Sequence, residues 1–141
     1  MIRVARYIYT GAAWLFVVGV LLQVFLAGMV VVARQTSWNN HIGLGHLLAV
    51  PLLFMLVSMY LGRLPRPVKT QTWVLLAVYV IQADILIFMR LPAPVLSAFH
   101  PVLALVDFAL GYALARQAVP LAREEKALVA APEKLEPSSI S

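Results

Sequence analysis

Four ionisable side chains stand inside long apolar runs, where hydrocarbon should exclude them: His46, Asp84, His100 and Asp107, with Gln23 and Gln82 as neutral company. Such residues are costly in lipid, and each calls for a partner or a function. His46 closes the stretch His41-Ile42-Gly43-Leu44-Gly45-His46, and His100 precedes Pro101. Two imidazoles from facing helices at one level are what a six-coordinate haem b requires. Each gives one ring nitrogen to iron, while the other N–H seeks an acceptor. His46 and His100 are the expected metal ligands. Gly43 and Gly45 remove bulk beside His46, which lets a flat macrocycle approach. Arg34 and Arg90, with Asn39 and Asn40, fall at the same outer end, where propionates would be paired. Asp84 is placed to accept an imidazole N–H.

Other readings of the same residues stay open. Histidines near helix ends also bond backbone carbonyls or headgroups, and membrane glycines often serve close packing. His41 is expected at the interface rather than on iron, being five residues and about 140° around the helix from His46. Asp107 lies seven residues after His100, on the same face and about 10 Å deeper. It reads either as part of an inward path for protons or substrate, or as a packing residue bonded to Gln23 or another helix. Gln82 and Asp84 are about 200° apart on a regular helix, so one of them should face away from the bundle. There is no cysteine, no close histidine pair suited to zinc, no nucleophile–base arrangement and no phosphate loop. An electron-transfer or accessory role is therefore expected rather than an enzyme.

Four apolar segments must position these residues: 7–33, 41–61, 72–89 and 95–115. Each approaches or exceeds the ~20 residues that cross the hydrocarbon as a helix. With 62% hydrophobic and 12% charged residues in 141, the chain lacks the polar surface of a soluble domain. The first run is too long for a cleaved signal peptide. Basic residues gather before the first segment, between the second and third, and after the fourth, whereas the other two loops offer only Arg34 and Arg90. The positive-inside rule then places both termini in the cytoplasm. The net charge of +5 is spread among apolar runs with no aromatic-interleaved basic face, which argues against nucleic acid. The expected fold is an all-α integral membrane four-helix bundle over residues 1–117. A short polar cytoplasmic tail, 118–141, follows, helical at first and disordered from Pro132.

The opening Arg6-Tyr7-Ile8-Tyr9, Ala13-Trp14-Leu15-Phe16 and Gln23-Val24-Phe25-Leu26-Ala27-Gly28, the Trp38…His41…Gly45-His46 stretch and His100-Pro101-Val102 together resemble a family of uncharacterised small bacterial four-helix membrane proteins. The likeness covers about residues 1–117, and the family carries no established reaction. It implies a multi-pass protein of the bacterial cytoplasmic membrane. More remotely, paired histidines on the second and fourth helices are similar to one half of the haem A synthase family. That family's acidic residue three positions before a histidine on a helix is missing here. The likeness therefore implies haem binding rather than haem modification. Three functions follow as expectations: a haem b-binding electron-transfer protein or subunit, a cofactor-free accessory subunit of a larger membrane complex, or a small oligomeric transporter.

Overall fold

The computed structural model describes residues 1–130 and contains only helices and turns over them. The expected disordered segment from Pro132 lies outside the described residues. Four helical rods are long and apolar enough to cross a membrane: Ile2–Val31, Trp38–Leu61, Arg66–Phe88 and Pro94–Arg123. Lipid leaves the backbone no partner but itself, so apolar runs of this length close their hydrogen bonds as helices. The rods outrun the apolar segments because helix formers flank them. The first rod is α1 (Ile2–Val31), which takes in Arg3 and Arg6. The last helix of the described residues runs from His100 to Ala130, straight through Pro120 and past the expected boundary near residue 115.

The other three rods are interrupted. The second consists of α2 (Trp38–Leu47) and α3 (Ala49–Leu61). Pro51 has no N–H for the carbonyl of Leu47, one turn back, and the helix breaks at Leu48. The third consists of α4 (Arg66–Val80), a π turn over Ile81–Ile85 and the short α5 (Leu86–Phe88). The fourth opens with α6 (Pro94–Ser97), then α7 (His100–Ala130). The rods alternate in direction, and α1 packs mainly against α7 and α3, with α4 closing the square against both.

The half of the bundle nearer the termini is tightly built. Tyr9, Phe16, Leu52, Met55, Met59, Leu75 and Leu114 are fully buried there. The Tyr9 hydroxyl meets Thr72 Oγ1 at 2.6 Å, and Thr72 in turn donates to the Val68 carbonyl. Arg6 clamps three rods: Nε donates to the Gly62 carbonyl at 3.0 Å and Nη1 to the Leu121 carbonyl at 2.9 Å. A Cβ on Gly62 would meet the Arg6 backbone and side chain at 3.2–3.3 Å and the Ser58 carbonyl at 2.9 Å. Glycine is thus needed there for close approach, while its neighbour Arg63 takes the left-handed turn at φ 48°. Leu64 N–H then bonds back to the Met59 carbonyl, closing the end of α3.

The opposite half is different. Beyond Val20 α1 buries no residue, α2 buries none, and from residue 80 to 106 only Leu86 is buried. All three histidines sit in this loosely packed half.

Candidate functional site

The site is built from the irregularities of the rods. At the π turn Leu86 N–H bonds to the Ile81 carbonyl, five residues back, rather than to that of Gln82. The Gln82 carbonyl is left open, and His100 Nδ1 donates to it at 2.8 Å. His41 Nδ1 similarly donates to the Gln23 carbonyl of α1 at 3.1 Å. The two rings meet edge-on, with centroids 6.1 Å apart and planes at 65°. Trp38 sets its edge against His41 at 5.5 Å. With each Nδ1 proton directed at a backbone oxygen, each Nε2 carries the free lone pair.

His46 takes another course. Its Nδ1 bonds the Ile42 carbonyl of its own helix at 3.0 Å, and its side chain is 67% exposed. Nε2 lies 4.0 Å from the carboxylate of Asp84, itself 57% exposed. Of the two, Gln82 and Asp84, it is Asp84 that faces outward; Gln82 is half-buried. The sequence pairs His46 with His100, whereas the structure brings His41 to His100 and His46 to Asp84. The α2 register decides this: five residues turn His41 and His46 to different sides, and α1 and α7 both lie on the His41 side.

Of the glycines beside His46, Gly45 is not open. A Cβ there would fall 2.7 Å from Gln23 Nε2, so Gly45 admits the Gln23 amide rather than a ring. Gly43 has nothing within 4 Å of that position. Arg34, in a left-handed turn at φ 55°, and Arg90 are both exposed at the loops of this half.

Tyr79 carried no signal in the sequence beyond an aromatic in an apolar run. Its hydroxyl donates to the Gly45 carbonyl at 2.7 Å and interacts with the Ala49 amide. A regular helix would join that amide to that carbonyl; the hydroxyl sits between them and stitches the break after Leu48. One step deeper lies Asp107, 1% exposed. Its Oδ1 and the Oε1 of Gln23 are both buried without hydrogen-bond partners among the described residues, so the expected bond between these residues is not made.

Among the described residues no group of three histidine, cysteine or acidic side chains converges to hold a metal ion. The arrangement present is a pair of imidazoles on facing helices, anchored from behind.

Fold and site together define a small membrane protein of four apolar spans with a histidine pair in its open half. Residues 23–89 match a family of unknown function, DUF6220. That stretch carries Gln23, His41, His46, Tyr79, Gln82 and Asp84, but not His100. No curated protein and no solved structure matches the chain.

Proposed function

We propose that this is a haem b-binding electron-transfer protein or subunit of the bacterial cytoplasmic membrane, with both termini in the cytoplasm. His41 and His100 are the residues that would hold its iron. The observation that carries the reading is the anchored pair at 6.1 Å. Two imidazoles on one ion stand about 6.3 Å apart between ring centres, from two metal–nitrogen bonds of about 2.0–2.1 Å and about 1.1 Å from nitrogen to ring centre on each side. The donor set suits haem for a second reason: the macrocycle supplies four ligands and asks only two of the protein. The chain's part is to fix each tautomer through the Gln23 and Gln82 carbonyls, to hold the His41 ring against Trp38, and to leave the surrounding half loosely filled. Bound there, haem supplies a reversible one-electron carrier. Arg34 and Arg90 stand at the loops where propionates would lie.

An absorption spectrum of the detergent-purified protein tests this. A reducible low-spin spectrum is expected, lost in His41→Ala and in His100→Ala and kept in His46→Ala. A colourless protein from haem-replete cells overturns the reading. Loss in His46→Ala with retention in His41→Ala restores the pairing of His46 with His100. Tags at the N-terminus, in the 63–69 loop and at the C-terminus should report cytoplasm, and a tag near Ser37 the opposite side.

The exposed His46–Asp84 pair favours a second reading, an accessory subunit of a larger membrane complex. Polar groups turned towards lipid are costly until another surface covers them. Co-purification of a stoichiometric membrane partner, lost in Asp84→Leu, would support it.

A further inference from the structure

At the opposite end of the bundle α7 and α1 leave a groove of ≈ 460 Å³ lined by Trp14, Tyr112, Arg116, Val119 and Pro120. We propose that this groove binds an anionic phospholipid, with the phosphate on Arg116 and an acyl chain along Trp14 and Tyr112. The proposal rests on the membrane placement of the four spans and not on the haem reading.

Three features of the groove agree. Its cation has no carboxylate: the Arg116 guanidinium stands over the Tyr112 ring at 5.9 Å and reaches that hydroxyl at 3.4 Å, with no acidic partner among the described residues. A planar guanidinium stacked on an aromatic keeps its outer N–H edge free for a phosphate, with which it pairs in bidentate fashion. Its wall is aromatic and fixed, since Tyr112 is held between the edge of Trp14 at 5.8 Å and the stacked face of Phe108 at 6.3 Å. Its floor is Pro120, which has no N–H to give the Arg116 carbonyl one turn back.

The depth agrees too. From His100 to Arg116 α7 rises about 24 Å, so a long side chain at Arg116 reaches the edge of a hydrocarbon layer ~30 Å thick. Arg3 over Tyr7 and Lys69 over Tyr60 are further cation–aromatic pairs in this half. Neither lines this groove, which makes Arg3 a fair control for charge alone.

The test is lipid retention by the full chain. Protein in detergent is loaded with equal amounts of phosphatidylglycerol and phosphatidylcholine, washed, and the retained lipids counted by native mass spectrometry. Wild type should favour phosphatidylglycerol about fivefold, the effect of one well-placed cation. Arg116→Gln should bring the ratio near one, Arg116→Lys should restore most of it, and Arg3→Gln should leave it unchanged. Equal retention of both lipids by wild type overturns the proposal without any variant. An Arg3→Gln loss as large as that of Arg116→Gln also overturns it, since general surface charge would then suffice.

Discussion

The two halves of this bundle are made from the same apolar composition and are packed in different ways. Near the termini, small residues let the rods approach: Ala5, Ala12 and Ala13 on α1 and Ala115, Ala118 and Ala122 on α7 are all buried, and these two helices pack together. Side-chain hydrogen bonds such as Tyr9–Thr72 and the Arg6 clamp then lock rod to rod. In the far half each of the last three rods is broken, at Leu48, at the π turn and between Ser97 and His100. Lipid tails are as apolar as leucine, so membrane helices are held by close packing and hydrogen bonds rather than by escape from water. A half with broken rods and few buried residues is therefore weakly self-associated. It is also where carbonyls are freed from the helical ladder, and these are what anchor His100 and the Tyr79 hydroxyl.

The largest test of this contrast is Phe16→Ala. Lipid removes most of the transfer term, but a void of roughly 100 Å³ at about 24 cal/mol per Å³ still costs about 2–3 kcal/mol. Phe99→Ala, 53% exposed in the far half, should cost under about 0.5 kcal/mol. SDS-driven unfolding of both variants measures the gap, and equal losses would dissolve the distinction between halves. Tyr79→Phe lies at the boundary and should cost about 1–2 kcal/mol, since the Gly45 carbonyl and Ala49 amide lose the hydroxyl between them. If stability is unchanged, the backbone closes the break by itself.

Asp107→Ala goes the other way. It removes a buried oxygen with no partner among the described residues and puts the best helix former in its place, so stability should rise by about 1 kcal/mol. A loss there would mean that the carboxyl has a partner in the membrane-bound protein, which a buried water or bound group would supply. The smallest effect is expected for His46→Ala, within about 0.5 kcal/mol, because its ring is exposed, its hydrogen bond is to its own helix and its Asp84 neighbour stands 4.0 Å away and exposed. A larger loss would give the His46–Asp84 pair a structural role.

The four spans were legible without coordinates, because length and apolarity alone decide what crosses a hydrocarbon layer and the backbone then has only the helix to adopt. The polar residues worth asking about were legible for the same reason: His46, Asp84, His100 and Asp107 are conspicuous where lipid surrounds them. Pairing was not legible. It depends on which face each helix turns inward, and the second and fourth rods present no apolar stripe that would fix their rotation. The π turn could not be foreseen either, since nothing in Ile81–Ile85 as a string requires one extra residue per turn. That single inserted residue frees the Gln82 carbonyl for His100, and the α2 register then sets His41, not His46, opposite it. Both are outcomes of how the rods pack, which is why only the tertiary structure decided them.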